Sequence, residues 1–353
     1  MNEGGTGTVA SAASRMQRIG PVVSLVLLAP VISELLYGGT RVSAILVLIP
    51  EIMTWGCGAL LIRYWARRWH KGWLSMLLLG LALAVAEECI IQQTSIAPLV
   101  GSAQRAYGRA FGVNWVYLLW ALGYESVWVV LIPVQLTELL FPARRAEPWL
   151  GRRGMAIAGV VFMLGSALAW YSWTQMARVK VFHMTPYNPP PLYILAGLAV
   201  IVLLVVAARA IPATRKREAH HLSRSAPSPW LVGIIVCLLG SPWAAFVMLG
   251  FGAFPSIPFG WALAAGLGWT ALTFVLIERW SSSRDWDDER RYALAFGGVV
   301  ACMLGGFVVF EIGGATRMDW IGKTLLNIAA LAWLAAFGRK LRRPESSSMP
   351  VDI

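Results

Sequence analysis

The sequence predicts an all-α fold, a polytopic transmembrane helical bundle of about ten helices with both termini cytoplasmic. Three observations lead there. The chain of 353 residues is 58% hydrophobic and 14% charged, with a mean hydropathy of +0.63, whereas soluble domains carry about 25% charged residues. Its apolar residues arrive in blocks of about 20, the length that crosses a hydrocarbon core of about 30 Å. Its basic residues gather in alternate links between those blocks, which is a topology signal.

Taken in order, residues 1–17, MNEGGTGTVASAASRMQ, are small and polar. They lack the ordered charged, apolar and cleavage regions of a signal peptide, and a disordered tail is expected. Spans follow at roughly 18–38, 42–64, 73–93, 113–141, 155–175 and 191–208, so residues 18–208 form a first six-helix region. Residues 209–228 hold RKREAHHLSRSAPSPW, a basic, solvated linker. Four more spans, roughly 229–251, 256–279, 292–313 and 320–338, make a region over 229–338, and 339–353 is a basic and polar tail.

With the N-terminus inside, only seven of the 30 Lys and Arg residues fall outside: Arg41, Arg105, Arg109, Arg178, Lys180, Arg317 and Lys323. Every inside link carries more positive charge than any outside one, which places both termini in the cytoplasm. The net charge of +12 is thus spread over links and not gathered on one face, and nucleic acid is not an expected partner; the lipid bilayer is. The four cysteines, Cys57, Cys89, Cys237 and Cys302, all lie in apolar runs without a CxxC pair and read as small buried thiols. Many of the 18 tryptophans lie at span ends, as an interfacial belt requires, and no site is assigned to them. RDWDDERR reads as a solvated charge cluster.

The functional signal lies in the acids. Eight glutamates fall within the spans, where ionisable groups are rare and usually face a bundle interior or a wet cavity. Glu138 and Glu278 lie within a turn of inner ends, near Arg144 and Arg279, and read as interfacial. The other six are Glu34, Glu51, Glu87, Glu88, Glu125 and Glu311. At about 1.5 Å of rise per residue, Glu34 lies about 6 Å from its outer end, Glu51 about 14 Å, and Glu87 and Glu88 about 8–9 Å. Glu125 approaches the midplane and Glu311 lies near its outer end, so the six are expected to share the outer half of the bilayer.

Neighbouring residues support a cluster. Pro30 and Pro50 stand next to Glu34 and Glu51, where each frees a backbone carbonyl and bends its helix. Gln92 is four residues after Glu88, on the same face and able to bond its carboxyl. Lys323 and Asn327, on one face of the last helix, are expected to supply a counter-charge and a hydrogen bond. Two adjacent carboxyls in a low dielectric cannot both ionise cheaply, so one of Glu87 and Glu88 is expected to keep its proton. Interhelical adhesion through hydrogen bonds is the alternative role for each acid taken singly.

Two resemblances bear on function. PVISELLYGG, ARRWHKGWLSMLLLG, the Glu-Glu pair and PVQLTELLFP resemble a family of uncharacterised multipass bacterial membrane proteins over about the first 150 residues. That resemblance implies a bacterial inner-membrane location. The pair Glu87–Glu88 is also similar to the E-E-x-x-x-R helix of the CPBP intramembrane metalloproteases, which include CAAX-processing and bacteriocin-immunity relatives. That similarity implies peptide hydrolysis, with Glu87, Glu88 and Glu125 as the catalytic set. Gln92 stands at the arginine position, and His70, His183, His220 and His221 all fall in links, where the family has histidines on later helices.

Three readings follow: a CPBP-like hydrolase scaffold that has lost its histidines, a proton-coupled transporter or carrier of a cationic solute, and a non-catalytic immunity or assembly partner. In the first two, Glu34, Glu51, Gln92, Glu311, Lys323 and Asn327 serve as binding residues. His183, in an outer loop, is the one imidazole on the acidic side; with the carboxylates it suits a hard divalent ion. No substrate is readable.

Overall fold

The computed structural model describes residues 5–100, 106–212 and 225–342, with side chains from residue 18 onward. Ten helices among them are long and apolar enough to cross a membrane. They are α1 (Arg18–Leu36), α2 (Val42–Arg68), α3 (Trp73–Ile91), α4 (Trp115–Leu140) and α5 (Arg152–Val181), then α6 (Pro191–Ala210), α7 (Pro229–Gly250), α8 (Phe259–Ser281), α9 (Asp288–Glu311) and α10 (Arg317–Leu341). All ten predicted spans are present. Helical backbone also runs upstream of α1 from Gly5, inside the stretch read as a tail. Most of the predicted linker and the end of the C-terminal tail lie outside the described residues.

The spans differ in how far they are covered, and the difference locates the core. Half or more of the side chains of α2, α3, α4 and α9 are buried, against 11% in α6 and α8. Leu192, Leu195, Leu203, Trp261 and Leu267 therefore point away from the protein, as helices that face lipid require. Small residues let the central rods approach. A Cβ on Gly56 of α2 would sit 2.3 Å from the Val26 carbonyl of α1, and one on Gly80 of α3 would sit 3.1 Å from Ser126 of α4. α9 packs along α7, and α3 lies between α4 and α6.

Four central helices are irregular where they carry acids. The backbone winds into π-helical turns over Val31–Leu36 in α1, Ile52–Gly56 in α2, Glu87–Ile91 in α3 and Glu125–Leu131 in α4. In α2 a 3₁₀ stretch, Val42–Val47, precedes Pro50. Single π-turns leave backbone groups unpaired and recur at functional sites. In α1 the loosened carbonyls are each taken by a donor from another helix. Cys302 of α9 donates to Ile32 (3.3 Å), Tyr124 of α4 to Ser33 (2.5 Å) and Lys323 of α10 to Leu36 (2.6 Å).

After α3 the chain folds back into a buried cap instead of leaving the bundle. Thr94, Ser95, Ile96, Ala97, Leu99 and Val100 are all buried. Their carbonyls are satisfied by side chains from later segments. Asn114 donates to Thr94 (3.0 Å) and Ala97 (2.6 Å), Arg109 to Ile96 (2.8 Å), and Arg178 to Pro98 (3.0 Å). A two-residue antiparallel ribbon, Arg109–Ala110 with Val113–Asn114, fixes the return into α4.

Candidate functional site

Glu34, Glu51, Glu87, Glu88 and Glu125 converge between α1, α2, α3 and α4. Glu51, Glu87, Glu88 and Glu125 are 2–5% exposed, and Glu34 is half-buried at the outer edge. The Glu125 carboxyl lies within hydrogen-bonding reach of both Glu87 and Glu88. Glu51 is close enough to Glu87, and Glu34 to both Glu51 and Glu87, for their charges to interact. A hydrogen bond between two carboxyls needs a proton on one of them, since an ionised carboxylate only accepts.

The remaining partners are neutral donors. The Trp55 indole N–H of α2 donates to Glu87 Oε2 at 2.5 Å, and the Ser95 hydroxyl of the cap donates to Glu88 Oε2 at 2.7 Å. Thr40, in the loop between α1 and α2, donates its hydroxyl to Glu51 Oε1. Among the described residues no ion pair reaches any of the five acids. Glu51 Oε2 and Glu125 Oε2 are buried with no donor, and the hydroxyl of Thr54, three residues after Glu51, is also buried without a partner. Buried polar atoms of this kind are uncommon in folded proteins and call for water, a proton or an ion.

Sequence reasoning brought five of its six acids to one place and misplaced the sixth. Glu311 is exposed at the outer end of α9 and is not part of the cluster, because its face of the helix turns away from α1. Lys323 is not a counter-charge. It is 1% exposed, bonded to the Leu36 carbonyl and set over the rings of Phe307 and Phe310 at 4.9 and 5.4 Å. Asn327, one turn on, is buried with neither side-chain atom bonded. Gln92 does not hold Glu88; Ser95 does.

His183 is exposed in the loop after α5. No group of three or more His, Cys, Asp or Glu among the described residues has the arrangement to hold a metal ion, so the metal site expected there is not formed. Two clefts in the bundle do not open on the acids: one is lined by Leu28, Leu36 and Trp333, the other by Trp230, Tyr292 and Arg339.

Three contributors were missed. Trp55 belongs to the site, although tryptophans were set aside as interfacial. Ser95 gave no helical-spacing signal, because α3 ends at Ile91 and the cap that carries Ser95 folds back on it. Thr40 gave no signal, because nothing in a loop sequence shows which helix it will touch.

The other end of the bundle corrects a second reading. Glu138 is not interfacial but 8% exposed, between Arg63 (2.9 Å) and Arg67 (2.7 Å) of α2. Arg63 also donates to the carbonyls of Arg145 (2.9 Å) and Glu147 (3.0 Å) and stacks 3.2 Å over the Trp149 ring.

Ten helices long and apolar enough to cross a membrane make this a multipass membrane protein, with a set of buried acids gathered between α1, α2, α3 and α4. Set beside known proteins, the chain matches no family model, no curated protein and no solved structure.

Proposed function

We propose that the protein is a proton-coupled carrier of a cationic solute, in which protons and solute compete for Glu51, Glu87, Glu88 and Glu125. One observation carries this reading: the acids are buried together without a cation, and two of their oxygens have no donor. A set of carboxyls held together by shared protons becomes a cation site when the protons leave. The π-turns after Pro30 and after Glu51, and the non-helical backbone of Ala44 in α2, support it, since irregular helices lend carbonyls to ion sites in transporters. Half-buried Glu34 and exposed Gly39, whose Cβ would meet Glu34 Oε2 at 2.4 Å, mark the side from which solute enters. The distribution of basic residues argues for both termini cytoplasmic and this entrance facing outward, and the resemblance of the first 150 residues argues for a bacterial inner membrane.

The hydrolase reading has one observation in its favour, the contact of Glu125 with the Glu87–Glu88 pair. The histidines that would activate water with those acids have no counterpart beside them. An immunity or assembly role does not require convergent acids.

The test is proton release. Purified protein in weakly buffered detergent is mixed with sodium, potassium, calcium or tetraethylammonium while a pH indicator is read. Wild type is expected to release about one proton on binding at least one of them, and Glu125→Gln to release none. No release with any of the four, at wild-type folding, would overturn the carrier reading. Cleavage of a membrane-anchored peptide that Glu88→Gln abolishes would replace it with the hydrolase.

A further inference from the structure

Far from the acids, at the basic end of the bundle, a cleft of about 610 Å³ lies between α7, α9 and α10, a volume typical of small-molecule sites. Its lining changes character with depth. At the mouth stand Arg339 and Arg342 in the last turn of α10, together with Trp230, which is 62% exposed in the first turn of α7. Further in, the walls are apolar: Ile234, Cys237 and Val300. Cys237 lies eight residues into α7, about 12 Å below the mouth at 1.5 Å per residue. The hydroxyl of Tyr292 lines the cleft but is already committed, donating to the Leu334 carbonyl at 2.5 Å.

The two arginines are unspent. Neither forms an ion pair among the described residues, and Arg339 bonds only the Ala335 carbonyl of its own helix, at 3.3 Å. Several other arginines at this end of the bundle are paired: Arg63 and Arg67 to Glu138, Arg145 and Arg291 to Asp288, and Arg290 to Asp285 and Asp287. Among the described residues one acid, half-buried Glu289, shares the mouth, leaving two positive charges against one negative.

We propose that this cleft is a binding site for an anionic phospholipid, with the phosphate between Arg339 and Arg342 and one acyl chain descending past Ile234 and Cys237. Charge complementarity selects the occupant. Guanidinium groups match phosphate oxygens in pairs, they stand where helices leave the bilayer, and basic pockets between transmembrane helices recognise anionic headgroups. The net positive mouth favours an anionic over a zwitterionic lipid, and the apolar interior favours a lipid over a free phosphate.

The experiment is native mass spectrometry of the full-length protein in detergent titrated with phosphatidylglycerol or phosphatidylcholine, with melting temperature read in parallel. Phosphatidylglycerol is expected to bind about tenfold tighter than phosphatidylcholine. The double variant Arg339→Gln/Arg342→Gln removes that preference, since each basic residue at a membrane surface contributes severalfold. Arg152→Gln/Arg153→Gln, at exposed arginines outside the cleft, keeps it. Glu289→Gln tightens phosphatidylglycerol binding severalfold. Equal binding of the two lipids by wild type, equal loss in both double variants, or displacement of phosphatidylglycerol by millimolar inorganic phosphate would overturn the proposal. Loss of the acyl-chain contribution in Cys237→Phe, with the arginines intact, separates a lipid site from a surface charge effect.

Discussion

The molecule buries carboxylates at both ends of its central helices and treats them in opposite ways. Near the basic end, Glu138 is held by Arg63 and Arg67 at 2.9 and 2.7 Å; acid and bases are both accounted for. In the other half, Glu51, Glu87, Glu88 and Glu125 are buried as deeply but have only Thr40, Trp55, Ser95 and one another. A fully paired buried ion is a fixed part of the structure, because removing either partner strands the other charge. Carboxyls that share protons can exchange them. The first arrangement holds α2 to α4, and the second is where chemistry has room to happen.

The same substitution at the two ends breaks or sharpens this contrast, and it gives the largest expected effect. Glu138→Gln leaves the buried Arg63 and the half-buried Arg67 without their acid and is expected to lower stability by about 3 kcal/mol, read as a fall in detergent melting temperature. Glu88→Gln, which removes no cation's partner, is expected to change stability by less than about 1 kcal/mol. Comparable losses would dissolve the distinction.

Trp55→Phe comes next. It deletes the indole donor to Glu87 while keeping most of the ring's bulk, and about 1–3 kcal/mol is expected from a buried acceptor losing its donor. Ser95→Ala removes the cap's hydroxyl from Glu88, with about 0.5–1.5 kcal/mol expected. A second readout for Ser95→Ala is amide exchange over residues 92–100, which rises if Ser95 pins the cap to α3.

The smallest effect lies outside the membrane. The Ala226 backbone N–H and the Ser225 hydroxyl hold the Asp285 carboxyl well below the usual carboxylate range. A lowered folded-state value means that this tie contributes above the ordinary aspartate value of about 3.9 and fades as pH falls below it. Asp285→Asn should therefore speed amide exchange at residues 225–228 at pH 7 and somewhat less at pH 3, where part of the tie's contribution is gone but the lowered carboxyl is still ionised. Equal exchange in both proteins at pH 7 would show that the tie contributes nothing.

The RDWDDERR stretch shows how a correct chemical reading can stop short of the structure. As expected it is an exposed or half-exposed charge cluster, yet Asp288 also reaches Arg145 at 2.8 Å, joining the link before α5 to the start of α9. Composition gave the polarity; the partner lay 143 residues away. Lys323 failed for the same reason. Its depth was read correctly from helical rise, but its neighbours are two phenylalanines and a carbonyl.

By itself the sequence determined the ten spans. Each depends only on runs of apolar residues and a constant rise per residue, which are local along one chain. The tertiary structure alone decided which acids meet. Residues at one depth meet only if their helices present the same face to a common centre, and that rotation depends on packing between helices, on contacts such as Gly56 with Val26. So Glu311 dropped out, Glu138 found two arginines, and Thr40, Trp55 and Ser95 entered the site. The π-turns likewise had only a partial signal, in Pro30 and Pro50, since α3 and α4 change their winding at Glu87 and Glu125 without a proline at either position.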